Sequence, residues 1–201
     1  MRNYYQEQIE LCNELKEKNK KPKLLLHTCC ALCFSSAFMQ CKDYFEITVF
    51  FYNPNIYPNA EYEKRKQETL RLIEIFNQEY HLNISFVEEV EEFETYRQKK
   101  VHANHCFDCI YNRLLVSYNY ADTHHFNYVT TTLTVGRLKN SIMINQIGEL
   151  LEKTHSTAYF YSNFKKNKGI ELSLYLKEKY QIYAQNYCGC EKFDENKKCI
   201  L

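Results

Sequence analysis

Short β-forming runs alternate along this chain with longer stretches of helical periodicity, and that alternation limits the fold more than any other feature. The runs are Lys23 to Thr28, Phe45 to Tyr52, Asn83 to Glu89, Tyr128 to Thr134 and Ala158 to Tyr161. Helical patterns separate them. In the first, Tyr5, Ile9, Cys12 and Leu15 recur at spacings of three and four; others run from about Cys33 to Lys42, Asn59 to Tyr80, Phe107 to His124, Ser141 to Lys153 and Ile170 to Tyr180. Asn59 reads as an N-cap after the loop Asn53 to Pro58. The stretch ITVFFY in the second run is apolar on both faces, as a strand covered on both sides must be. Parallel strands need crossover helices, so the expectation is an α/β, Rossmann-like three-layer fold with a mainly parallel five-stranded sheet in the order 3-2-1-4-5. Ligands of such sheets sit beyond the carboxyl ends of the strands, where the order reverses between strands 1 and 4.

Length and composition are consistent with one α/β domain over residues 1–201, with an N-terminal helix in residues 1–20 and a C-terminal segment, residues 181–201, that carries a Cys-Gly-Cys motif. The net charge of +1 rules out a polycation, so any nucleic-acid binding depends on local patches. No apolar run approaches the roughly 20 residues of a membrane span, and the N-terminus has no secretory h-region. A cytoplasmic, reducing location is expected, with no membrane partner.

That location changes what ten cysteines mean. Thiols in a reducing compartment bind metal, do redox chemistry or lie in the core. Seven are clustered: Cys29, Cys30 and Cys33 in HTCCALC, Cys106 and Cys109 in HCFDC, and Cys188 and Cys190 in YCGC. One tetrahedral ion or four-iron cluster takes four thiolates and leaves three, the usual protein complement of a metal with an open position. The count suggests a cluster plus a second metal. Neighbouring residues of an extended chain point to opposite faces, so Cys29 and Cys30 are expected to serve two different ions. Cys33, at a helix start, has its thiolate favoured by the helix dipole. Cys12 and Cys41 fall on apolar helical stripes and read as core.

Basic residues gather on the same edge of the expected sheet. Arg137 and Lys139 follow strand 4, and Lys165, Lys166 and Lys168 follow strand 5, near Tyr52, Tyr57, Tyr161 and Phe164. They read either as solvated charge runs or as phosphate contacts beside aromatics that stack on an exposed base.

HTCCALC after the first strand, VFFYNPNIYP after the second, YVTTTLTVGRLKN at the fourth, SNFKKNKG after the fifth and the closing NYCGC together resemble the QueH family of epoxyqueuosine reductases, from about Leu24 to Cys190. The resemblance implies cobalamin-independent reduction of the epoxide of epoxyqueuosine at the tRNA wobble position, with a [4Fe-4S] cluster beside a mononuclear metal ion, iron or zinc. Some family members carry aspartate where this chain has Cys33, which favours the single ion over the sulfur-preferring cluster at that position. On this basis Cys29, Cys33 and Cys190 are expected on the single ion, and Cys30, Cys106, Cys109 and Cys188 on the cluster. His27, Asp108 and Tyr57 are the candidate proton donors, and Arg137, Lys139, Lys165, Lys166 and Lys168 the candidate substrate-binding residues. A separate reductant such as ferredoxin or flavodoxin is implied.

Other classes fit less of the chain. A thiol–disulfide oxidoreductase needs only one Cys-x-x-Cys pair, and a structural zinc protein also stays open. A nucleotide-binding relative of the ATP pyrophosphatases would have a glycine-rich loop where this chain has cysteines.

Overall fold

A computed structural model describes residues 2–98 and 105–189 of the chain; Cys190 lies outside the described residues. The elements are α1 (Tyr4–Glu17), β1 (Lys23–His27), α2 (Ala31–Cys41), β2 (Glu46–Phe51), α3 (Asn59–Tyr80), β3 (Ser85–Glu88), α4 (Phe93–Gln98), α5 (His105–Thr123), β4 (Tyr128–Thr131), α6 (Ser141–Glu152), β5 (Ala158–Tyr159) and α7 (Gly169–Lys179). The five strands form one sheet in the order β3-β2-β1-β4-β5, and every pairing is parallel. This is the order expected from the alternation of runs.

Period-two alternation along β1 sorts the core into two layers. Leu24 and Leu26 point to one face with Ile47 and Val49, where Cys12, Phe34, Phe38, Cys41, Phe76 and Leu176 pack over them. Leu25 points to the other, with Phe50 and Val129 under Ile110, Leu114, Tyr118, Ile144 and Ile147. Cys12 and Cys41 are therefore core residues. Close approach of α6 to β5 depends on Gly148: a Cβ there would lie 2.4 Å from the Tyr159 ring.

Several boundaries differ from the sequence reading, each for a local reason. The second helix begins at Ala31, ahead of Cys33, because Cys30 takes the N-cap and its sulfur accepts the Cys33 amide at 3.5 Å. Asn59 is the first helical residue of α3; Pro58 holds the cap position with no side-chain bond. Strand β4 stops at Thr131, whose hydroxyl oxygen accepts the Leu133 amide at 3.2 Å and turns the chain into a 3-10 helix over Thr132–Val135. The short helix α4 had no counterpart in the sequence pattern. None of the described helices is long and apolar enough to cross a membrane.

Candidate metal centre and substrate cavity

At the carboxyl end of β1 the chain is fixed from both sides. The Thr28 amide donates to Phe50 O at 2.8 Å, and the Asn53 side-chain amide donates to Thr28 O at 2.8 Å. The threonine run after β4 supplies the other wall: the Cys29 amide donates to Thr132 Oγ1 at 3.4 Å, and Cys29 Sγ lies 3.6 Å from the same oxygen. The loop then enters α2 through the Cys30 cap. This bend brings the sulfurs of Cys29, Cys30 and Cys33 within 4.8 Å of one another, with Cys29 and Cys30 only 3.9 Å apart. Four sulfurs around one ion at about 2.3 Å lie about 3.8 Å from each other, so this pair has a spacing that suits a shared ion or two metal sites held side by side. The two sulfurs converge because the cap residue turns the chain before strand alternation can separate the side chains.

Three buried thiols packed together share charge unevenly. Hydrogen bonds from Cys30 and Cys33, with the nearby Arg113 charge, hold the Cys29 thiol well below its ordinary value. The hydrogen bond to Cys29, with burial, pushes Cys30 up to about 12, and bonds to Cys29 and Cys30, with burial, raise Cys33. A cation brings such thiols to full ligation by releasing their protons.

A cavity of about 480 Å³ opens beside the trio. Cys29, Cys33 and Cys188 line it with Arg65, Arg113, Arg137 and Lys139, and no Asp or Glu is among its described lining residues. Lys139 Nζ donates to Cys188 Sγ at 3.0 Å, and Gln185 Nε2 donates to Cys30 Sγ at 3.0 Å. Lys165 donates to the Lys139 carbonyl at 2.6 Å. Lys139 and Lys165 thus turn inward, whereas Arg137, Lys166 and Lys168 are exposed. An amphipathic pattern cannot resolve that split, since both kinds occur in the same short loops.

Cys106 and Cys109 occupy the first turn of α5, with Asp108 buried between them at the positive end of the helix. They do not join the tight trio. Arg113, one turn on, connects this helix to the site: its Nε donates to Cys109 O at 3.1 Å and Nη1 reaches Asn53 Oδ1 at 3.5 Å.

The remaining sequence candidates stand away from the cavity wall. His27 is fully buried; its Nε2–H donates to Tyr52 O at 3.1 Å, and Nδ1 accepts from Thr131 Oγ1 at 2.8 Å. Burial, then the Arg113 charge, pulls its pKa down to about 3. Both nitrogens are engaged and the ring is neutral, so it ties strand ends together and has no proton directed at the cavity. Tyr57 is half-exposed and packs against Phe93 with ring centroids 5.1 Å apart; its amide donates to Gly189 O at 2.7 Å, and Tyr187 donates to its carbonyl at 3.0 Å. That contact docks the C-terminal segment, which turns at Gly189 with φ +103°.

Sequence reasoning passed over Arg65, Arg113, Asn53 and Gln185. Arg65 is 2% exposed, pairs with Glu61 at 2.7 Å, and donates to Cys188 O and Tyr187 O at 3.2 Å each. A signal was present for both arginines. Arg65 falls on the stripe Tyr62, Thr69, Leu72 and Phe76, and Arg113 on Ile110, Leu114, Ser117 and Tyr118, so each is a charge on the buried face of its helix.

Known proteins share this framework. The profile of epoxyqueuosine reductase QueH matches residues 24–196. The chain is 31% identical to the epoxyqueuosine reductase QueH of Streptococcus pyogenes serotype M1, over 94% of this chain and 76% of that protein. It is 32% identical to the one from Acinetobacter baylyi, over 88% and 83%, and 30% identical to the one from Thermotoga maritima, over 83% and 88%. A match spanning the sheet, the cysteine trio and the returning C-terminal segment shows that the chain belongs to the QueH family of epoxyqueuosine reductases, oxidoreductases of queuosine tRNA modification.

Proposed function

We propose that this chain reduces the epoxide of epoxyqueuosine in tRNA to the alkene of queuosine, in the cytoplasm, at the cavity beside Cys29, Cys30 and Cys33. The observation that carries this reading is a cavity walled by sulfur and by cations, with no described carboxylate. Such a wall suits thiolate-held metal and an RNA substrate at once.

The donor set fits the cofactors the family implies. Cys30, Cys106, Cys109 and Cys188 would hold a [4Fe-4S] cluster; Cys29 and Cys33, with Cys190, would hold a single ion, iron or zinc. When bound, these groups supply electron relay and Lewis acidity. The reaction consumes two electrons and two protons and yields an alkene and water, so an external one-electron carrier such as ferredoxin or flavodoxin has to donate. The protein's own residues do the rest. Lys139 and Gln185 keep donors on Cys188 and Cys30. Arg65 pins the returning C-terminal chain. Arg137, Lys166 and Lys168 meet RNA phosphates, and Asp108 and Tyr57 remain the candidate acids.

Anaerobic purification, iron and sulfide analysis, and mass spectrometry of nucleosides from treated tRNA test this reading. Brown protein that removes one oxygen from epoxyqueuosine, given a reduced carrier, is the expected result. A colourless zinc protein that stays inactive after cluster reconstitution would overturn it.

A further inference from the structure

Arg113 is a buried charge whose hydrogen bonding is incomplete. It is 2% exposed, yet among the described residues its hydrogen bonds reach only neutral acceptors, Cys109 O through Nε and Asn53 Oδ1 through Nη1. Its Nη2 is buried with no partner among the described residues. Leaving a guanidinium donor dry and unpaired is costly unless something at the site accepts from it. Arg113 lines the cavity that holds Cys29, Cys33 and Cys188.

The two bonds it does make fix the plane of the guanidinium. Asn53 is itself held, since its side-chain amide donates to Thr28 O at the end of β1. The donor left over is therefore preset. A preset, dehydrated donor next to the reacting centre is how enzymes stabilise oxygen that gains negative charge.

We infer that Arg113 forms an oxygen-binding site, its guanidinium donating to the epoxide oxygen of the bound nucleoside. This rests on the reading that the epoxide enters this cavity. Arg113 keeps its own proton throughout. As the two C–O bonds break, the electrons come from the external carrier and the oxygen leaves as water with two protons from elsewhere; the arginine holds that oxygen while its charge builds. A phosphate oxygen of the RNA is the other source of the same chemistry.

The test is binding, with turnover as a control. Affinities of the reconstituted protein are measured for tRNA bearing epoxyqueuosine and for the same tRNA bearing queuosine, which differ by one oxygen. Wild-type protein is expected to favour the epoxide form roughly tenfold, the value of one hydrogen bond to a charged donor, and Arg113→Gln to erase that preference while keeping its iron. Its kcat should fall roughly 100-fold or more, with the salt dependence of tRNA binding unchanged. A wild type with no preference, which needs no folded variant to observe, overturns the inference. So does an Arg113→Gln protein that keeps the preference, or that binds both tRNAs equally weakly with a flatter salt slope, which marks a phosphate contact. Loss of iron in the variant would make Arg113 a support of the metal centre and overturn it too. If wild type shows no preference but still removes the oxygen, only the Arg113 assignment fails; if wild type never removes it, the functional reading fails with it.

Discussion

Cys12 and Cys41, under the middle of the sheet, and Cys29, Cys30 and Cys33, at its carboxyl end, are the same residue type, mostly buried, with opposite prospects. Packed among Phe34, Phe38 and Phe76, Cys12 is raised by burial to about 11, and burial, with the neighbouring Cys12, raises Cys41 well above its ordinary value. At the carboxyl end the same burial is opposed by hydrogen bonds from neighbouring thiols and by Arg113, which hold Cys29 below its ordinary value. Burial by itself makes a cysteine inert; burial beside fixed donors and cations makes it a ligand.

The sharpest way to break that contrast is to delete one thiol from each region. Cys30→Ala or Cys109→Ala is expected to abolish the visible absorbance of anaerobically reconstituted protein and to lower epoxide reduction by a factor of roughly 100 or more, the scale of losing the electron relay. Cys41→Ala should keep both. If Cys41→Ala bleaches the protein, the division into core and ligand thiols is wrong.

A finer cut lies within the trio. Cys33→Asp is expected to keep the cluster spectrum and part of the turnover, because a carboxylate still holds a divalent ion, whereas Cys33→Ala keeps the spectrum but loses the second ion and activity. Metal analysis of the two proteins decides it. Iron lost with the spectrum in Cys33→Ala would put Cys33 on the cluster.

The basic loops offer a third comparison, between cations that face in and cations that face out. Lys139→Gln removes the donor to Cys188 and should slow turnover about tenfold, the worth of one charged hydrogen bond, with little change in the salt slope of tRNA binding. Lys166→Gln with Lys168→Gln should do the reverse, lowering affinity a few-fold and reducing the slope by about one for each phosphate that is no longer neutralised. Equal slopes in all variants would show both loops to be solvated turns. The smallest effect belongs to Cys12→Ala, where thermal unfolding should report a destabilisation of about 1 kcal/mol from a small core void and activity should not move.

How much of this was legible in the sequence follows the range of the forces. Strand order, the two-layer core and the core status of Cys12 and Cys41 come from periodicity, which is local, and all were readable. Convergence of Cys29 and Cys30 was not, because it depends on Cys30 acting as an N-cap, a role for which sulfur is a poor indicator beside Ser, Thr, Asp or Asn. Arg65 and Arg113 show in the sequence as charges on buried helical stripes, but their link to the site runs in part through main-chain carbonyls, which every residue has and no sequence advertises. Lys165 looked like a phosphate contact for the same reason: its partner, Lys139 O, is invisible in side-chain chemistry.

Arg65 and Tyr57 clasp the segment around Cys188 from elements that are synthesised more than a hundred residues earlier. In chain order all five strands and five of the seven clustered thiols, Cys29, Cys30, Cys33, Cys106 and Cys109, precede the segment that lines the cavity at Gln185 to Cys188. A chain that ended after α7 would keep every strand and those five thiols but lose Cys188, Cys190 and the Gln185 donor to Cys30. The last wall of the pocket is thus held to the fold by bonds from Arg65 and Tyr57 to its main chain, and side-chain changes within that wall leave its anchoring acceptors in place.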